Sequence, residues 1–322
     1  MIEPSGLDEL AQEAAALTRR TRESLSRNLV DMDAVISQVL IALIANGHCL
    51  LEGVPGTAKT TLCRDFARVL GLNYSRIQFT PDVLPSDVTG TKVFDNKSAD
   101  FVLKTGPVFC QLLLADELNR APARTQSALL EAMQERQVTI EGETLPLPAP
   151  YIVLATQNPV EQEGVYRLPE AQLDRFLFRI KVGYPSRESE IRLLALQREQ
   201  QATIEPLWSP EQILRFQHQV SQVYGVAELQ EYVVDLARAS REHPDVLLGA
   251  SPRAAIFLQR AAKARALLTG RSYFTHDDVQ AIAYPVLSHR LIMKPESELS
   301  GVQVETVVAD VVRSVPIRGA RQ

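Results

Sequence analysis

The hydrophobic rhythm of this chain changes once, near residue 186. Before that point, short unbroken apolar runs recur: Cys49–Leu51, Ile77–Phe79, Leu112–Ala115, Ile152–Ala155 and Phe178–Val182. Continuous runs this short suit strands of a parallel sheet covered on both faces. Helical or loop material separates them, so the first part reads as a five-stranded α/β unit closing near Tyr184-Pro185-Ser186. Upstream, residues 7–29 predict a helix with many exposed charges. Residues 31–46 predict an amphipathic helix (Val35, Val39, Leu40, Leu43, Ile44) ending at Gly47. Two stretches interrupt the alternation. Residues 91–104 read as a hairpin with a polar tip, Asp95-Asn96-Lys97-Ser98, and residues 137–147 as a second one turning at Glu141-Gly142.

After residue 186 the strand runs cease and helical periodicity takes over. Ser209-Pro210-Glu211-Gln212 is a capping box with proline at the first helical position. Ser251-Pro252 opens a long helix reaching Gly270, and Thr275-His276-Asp277-Asp278 starts another. The chain therefore divides into an N-terminal helix (1–29), an α/β domain (30–186), a small all-helical domain (187–300) and a tail (301–322). The tail carries valines but ends in Arg318-Gly319-Ala320-Arg321-Gln322, which reads as loose chain.

Composition narrows the picture little. Hydrophobic residues at 45% and charged residues at 23% suit a globular protein. A net charge of −5 lacks the basic excess of a dedicated nucleic-acid binder. Cys49, Cys63 and Cys110 lack metal-ligand spacing and sit among apolar residues, as buried free thiols do. No signal-peptide pattern opens the chain, and the longest apolar run, Val39 to Asn46, is too short to span a bilayer. The expected location is the cytoplasm.

The candidate chemistry begins at Gly53-Val54-Pro55-Gly56-Thr57-Ala58-Lys59-Thr60, with Thr61 beyond it. An apolar strand precedes this segment and an amphipathic helix (Leu62, Phe66, Val69) follows, which is the context of a phosphate-binding loop. Its amides and the helix N-terminus attract an anion. Lys59 would reach the β- and γ-phosphates, and Thr60 would coordinate Mg²⁺. Ala58 stands where a glycine is usual. Next, Leu112–Ala115 delivers Asp116 and Glu117 at a strand's C-terminal end, where α/β sheets bind ligands. Asp116 would hold Mg²⁺ through water and Glu117 would polarise the attacking water. An acidic first turn of a helix reads the same way when taken alone. After Ile152–Ala155, Asn158 could bond the attacking water and the γ-phosphate, or simply end a strand in an Asn-Pro turn. In Leu168–Phe176, Arg175 could cross a subunit boundary to a neighbour's phosphate; Asp174 could equally form a surface ion pair. Arg253, second in the helix opened by Ser251-Pro252, faces the positive end of that helix dipole. A nearby phosphate would relieve this; a solvated arginine would tolerate it.

In this order the elements resemble the AAA+ ATPases, and within them the MoxR family. The resemblance runs from about residue 30 to residue 295. It is carried by Gln78-Phe79-Thr80-Pro81-Asp82-Val83-Leu84-Pro85-Ser86-Asp87, by Asp116-Glu117-Leu118-Asn119-Arg120-Ala121-Pro122 with Thr125–Glu135, by Ala155-Thr156-Gln157-Asn158-Pro159 and by Leu168–Phe176. It implies ATP and Mg²⁺ as cofactors, with Gly53–Thr60 as Walker A, Asp116-Glu117 as Walker B and Asn158 as sensor 1. Arg175 would be the arginine finger, with Arg120 and Arg179 as alternatives, and Arg253 would be sensor 2. The hairpins correspond to the helix-2 insert and the pre-sensor-1 hairpin. The Gly-Gln pair that often sits near adenine is absent, and the region reads Asn28-Leu29-Val30-Asp31-Met32-Asp33. The resemblance further implies a homo-oligomeric, hexameric ring that hydrolyses ATP to drive chaperone-like remodelling, maturation or cofactor insertion of a client protein, beside a separate von Willebrand factor A partner. Two other readings stay open: a nucleotide-gated assembly module, and a DNA-remodelling motor, against which the acidic balance counts.

Overall fold

In a computed structural model, residues 4–54, 56–158, 166, 168–196 and 203–317 are described. The strands are β1 (Cys49–Glu52), β2 (Tyr74–Gln78), β3 (Gly90–Asp95), β4 (Asp100–Thr105), β5 (Leu112–Asp116), β6 (Gln137–Ile140), β7 (Glu143–Pro146), β8 (Ile152–Gln157), β9 (Phe178–Lys181), β10 (Val246–Leu248) and β11 (Ile292–Met293). Helices α1 (Pro4–Leu25), α2 (Asp33–Ile44), α3 (Lys59–Val69), α4 (Pro85–Thr89), α5 (Ala123–Glu135), α6 (Glu170–Leu173) and α7 (Arg187–Leu196) accompany β1 to β9. Helices α8 (Pro210–Gln219), α9 (Ala227–Glu242), α10 (Pro252–Leu268), α11 (His276–Leu287), α12 (Pro295–Leu299) and α13 (Val304–Ser314) form the lid.

The main sheet has five parallel strands in the order β2-β5-β8-β1-β9. Of its inner strands, β1 is buried at every residue and β5 and β8 at all but their last, because helices cover both faces. The strand period of two divides their side chains cleanly. Cys49, Leu51, Leu112, Leu114, Ile152 and Leu154 join Phe66 of α3 and Leu40 of α2 on one face. Leu50, Leu113, Ala115, Val153 and Ala155 meet Leu129, Leu130 and Met133 of α5 on the other. At the sheet edge β2 buries only Ile77, so its apolar run marks the end of the strand, not its length. Phe79 continues the ladder, its amide donating to the Asp116 carbonyl at 2.9 Å.

Both hairpins form where the pattern places them. Strands β3 and β4 pair from Gly90–Thr105 to Asp95–Asp100. Strands β6 and β7 close through Glu141 and Gly142, both at positive φ (49° and 83°), as a tight hairpin turn requires.

In the lid, α10 packs against α9, α11, α1 and α2. Its buried alanines, Ala254, Ala261, Ala262 and Ala264, keep those helices close. A short antiparallel ladder of β10 and β11 adds to the helices. Helix α1 lies between the two parts, burying Ala11, Ala14 and Leu25, and Thr21 accepts from the Trp208 indole at 2.8 Å.

The loose tail expected from residue 301 is corrected by α13. Val307, Val308 and Val311 are buried at helical spacing, and Tyr284 of α11 donates to Glu305 at 2.8 Å. Only the polar end 318–322 lies outside the described residues.

Candidate active site

The C-terminal ends of β1, β5 and β8 border a cavity of 320 Å³. Gly53, Gly56, Thr57, Ala58, Lys59, Thr60 and Thr61 line one side, and Asp116, Glu117, Thr156 and Asn158 the other. Val54 flanks Gly53, and Pro55 lies outside the described residues. The loop's glycines answer to geometry. A Cβ on Gly53 would lie 2.4 Å from the Val182 carbonyl of the adjoining chain after β9, and Gly56 has φ of +83°. Ala58 takes φ 55° and ψ 19° immediately before α3. The position where a glycine is usual is thus left-handed here, and alanine occupies it at a cost of about 1–2 kcal/mol.

Helix α3 starts at Lys59 and aims its first amides at the cavity. Its buried face, Leu62, Cys63, Phe66 and Val69, fixes it to the sheet. The Lys59 ammonium donates to the carbonyls of Gly53 (2.7 Å) and Val54 (2.8 Å). Burial lowers its pKa, and the charges of Asp116 and Glu117 oppose that shift.

Thr156 sets the two acids. Its hydroxyl accepts from the Glu117 amide (2.8 Å) and donates to Asp116 Oδ1 (2.7 Å). Arg76 donates to Asp116 Oδ2 through Nη2 (2.7 Å) and Nε (3.2 Å). Glu117 adopts left-handed backbone, φ 56° and ψ 47°, which turns it off the strand line, and its carboxylate meets Arg120 at 3.0 Å. Asn158, nearly buried, follows β8 into the cavity. The oxygen donors here, the Thr60 hydroxyl and the Asp116 carboxylate, are of the hard type that divalent magnesium prefers. No cluster of three or more His, Cys, Asp or Glu suited to a metal occurs among the described residues.

Neither Arg76 nor Thr156 is singled out by sequence reasoning. Thr156 sits inside Ala155–Asn158 but has no motif role of its own. Gln78 pairs with Asp116 across β2 and β5, so Arg76, two residues earlier, shares that face. That alignment becomes visible only once the strand register is known.

Three arginines could act across a boundary, and they differ in their attachments. Arg179 is clamped bidentately to Glu52, both contacts at 2.7 Å, with Gln157 also donating to Glu52. Arg120 is held at Glu117 of the same chain. Arg175 pairs with no carboxylate within salt-bridge distance among the described residues. It lines a separate cleft of 290 Å³ with Ser127, Glu131, Gln134, Glu135 and Gln172.

The five sequence elements fall into two groups. The Leu177 amide donates to the His48 carbonyl at 2.8 Å, and His48 immediately precedes β1. Asp174–Leu177 therefore lies at the N-terminal end of the sheet. The phosphate loop lies beyond its C-terminal end, a strand of four residues away, about 13 Å along the strand. Arg253 belongs with Asp174: its Nη1 is 3.9 Å from Asp174 Oδ2, and Ser251, the cap of α10, donates to the same oxygen at 3.3 Å. Lys59, Thr60, Asp116, Glu117 and Asn158 are brought together. Arg175 and Arg253 are not brought to them.

A parallel sheet with a phosphate loop after its first strand, an acid pair on a neighbouring strand and a helical lid defines a P-loop ATPase. Comparison with known proteins narrows the class. Residues 48–178 match the family described as "ATPase family associated with various cellular activities (AAA)", and residues 238–311 match an "AAA lid domain". Chaperone MoxR1 of Mycobacterium tuberculosis is 42% identical over 98% of this chain and 85% of its own. The Bacillus subtilis protein YeaC is 45% identical over 92% of this chain and 93% of its own. A crystal structure of a putative ATPase from Cytophaga hutchinsonii, 39% identical, superposes with a TM-score of 0.91 over 98% of this chain and 99% of its own. The chain belongs to the MoxR family of AAA+ ATPases: it binds nucleotide and hydrolyses ATP. No helix among the described residues is long and apolar enough to cross a membrane.

Proposed function

We propose that this chain works as a ring, hexameric by family resemblance, in which each ATP is held by one copy and its hydrolysis is completed by the next. The observation that carries this reading is the separation just described. The phosphate loop and both acids lie at one end of the sheet, whereas Arg175 and Arg253 lie at the other. In one copy the Arg175 segment is tied to the opposite end of the sheet from the phosphate loop, about 13 Å along β1. Two copies packed end to side can bring both groups to one phosphate.

Within that arrangement Lys59 exchanges its bonds to Gly53 and Val54 for the β- and γ-phosphates. Thr60 and Asp116 would hold Mg²⁺, and their hydroxyl and carboxylate oxygens fit it. When bound, the ion neutralises charge developing on the phosphate oxygens. Glu117 orients and deprotonates the attacking water, and Asn158 fixes that water against the γ-phosphate. Arg175, and Arg253 beside it, meet the charge of the transition state from the neighbouring copy.

The work driven by hydrolysis is chaperone-like remodelling or maturation of a client protein in the cytoplasm, with a separate von Willebrand factor A protein as partner. The likeness to chaperone MoxR1 supports the chaperone role, as do two hairpins that interrupt the α/β order, the first of which leaves Phe94 and Phe101 exposed. The Glu117→Gln chain tests the mechanism. It should bind ATP, assemble into rings visible by light scattering and turn over on the order of 10²–10⁴-fold more slowly. Near-normal turnover would exclude the assigned base. Assembly without any dependence of turnover on Arg175 would favour a nucleotide-gated binding module.

A further inference from the structure

Arg290 follows α11 and carries a buried charge, its side chain only 2% exposed. Burial lowers its pKa to about 10, so it stays a cation at neutral pH. A buried guanidinium is unfavourable unless its donors are met, and here all three nitrogens are engaged. Nε donates to Asp174 Oδ1 at 2.7 Å. Nη2 donates to the carbonyls of Asp174 (3.1 Å) and Phe176 (2.5 Å). Nη1 donates to the Leu177 carbonyl (3.3 Å) and to that of Val286, and lies 2.6 Å from His289 Nε2. The plane also stacks 5.0 Å from the Phe257 ring of α10. One side chain thus fastens the chain on both sides of Arg175 and ties it to two lid helices.

We propose that Arg290 is a positioning residue for hydrolysis at the neighbouring copy's site. It fixes the backbone that carries Arg175, and it holds the Asp174 carboxylate that Arg253 faces. The two arginines and helices α10 and α11 therefore move as one body, so a shift of the lid is felt at the next copy's phosphate. This rests on the reading that Arg175 acts in trans. A purely structural ion pair would weaken its own copy in every respect; a positioning role spares the copy's own phosphate loop.

The test uses Arg290→Met and Arg290→Lys, with Arg175→Ala as reference. Three measurements are made on each: affinity for a fluorescent ATP analogue, steady-state turnover, and turnover after equimolar mixing with the Glu117→Gln chain, which has an intact Arg175. Affinity should stay near normal while turnover falls on the order of 10²-fold, the scale of a misplaced catalytic group. Lysine should fall as well, because it keeps the charge but lacks the fork. Mixing should restore turnover to about tenfold or more above the sum of the separate rates, since the Glu117→Gln neighbour supplies a correctly held arginine. Normal turnover in Arg290→Lys overturns the proposal. So does failure of mixing to restore the Arg290 variants while it restores Arg175→Ala. If Arg175→Ala is itself not restored, the trans reading fails and the role of Arg290 falls with it. Should the methionine chain bind no analogue, the lysine chain decides the matter.

Discussion

The two ends of one sheet solve the same problem, placing a charged group accurately, by different means. At the C-terminal end the backbone does most of the positioning. Ala58 and Glu117 are both left-handed, Gly53 makes room for Val182, and the functional groups leave directly from strand ends. At the N-terminal end a buried side chain does it, as Arg290 gathers Asp174, Phe176 and Leu177 from 113 or more residues away in sequence. Backbone positioning suits groups that must meet a small anion held by amides. Side-chain positioning ties a distant lid to the chain segment on either side of Arg175.

The contrast is sharpest for Arg175→Ala. Turnover should fall about 10³–10⁵-fold with analogue affinity unchanged if, as proposed, the arginine acts only on the transition state. A parallel loss of affinity would place Arg175 at its own copy's nucleotide and erase the distinction between the two ends. Thr156→Val probes the other end. It removes the hydroxyl that joins Asp116 to the Glu117 amide, and chemical denaturation should show a loss of about 1–3 kcal/mol together with slower turnover. An unchanged turnover would mean the acids are positioned without it. Ala58→Gly should stabilise by about 1 kcal/mol, since glycine meets no steric penalty at φ 55°. A destabilised chain would contradict the left-handed geometry.

The smallest effect concerns a second lid fastening, this one at the phosphate-loop end, where Lys181 pairs with Glu305 of α13. The hydrogen bond from Lys181 lowers the Glu305 pKa to about 2, and the pair is largely exposed. A depressed carboxylate contributes stability that is complete above its unfolded pKa and is lost as pH falls toward 2. Lys181→Met should flatten that part of the acid-unfolding curve by a few tenths of a kcal/mol. Salt should weaken this exposed pair and leave the buried Arg290–Asp174 pair nearly untouched.

The two ends also differed in how far the sequence disclosed them. Strands buried on both faces announce themselves as apolar runs, so β1, β5, β8 and β9 were legible, and so were the loop and acids that follow β1 and β5. The edge strand β2 was offset because one covered face needs only alternate apolar residues. Helix α13 was missed because its polar end masked the spacing of Val307, Val308 and Val311. Arg253 was correctly placed in the first turn of α10, yet nothing local told which end of the sheet that turn would reach. Arg76, Thr156 and Arg290 carry no motif. Their roles arise from strand register and lid docking, which bring together residues about 40 to 116 positions apart.

The central claim, that one catalytic site is divided between two copies, is tested most directly by mixing two inactive chains. Arg175→Ala keeps its own loop and acids; Glu117→Gln keeps its arginines. Equimolar mixing should restore ATP hydrolysis well above the sum of the two separate rates, because some sites regain both halves. A mixture no faster than that sum, with mixed rings demonstrated by differential tagging, would contradict the division and return both arginines to the copy that carries them.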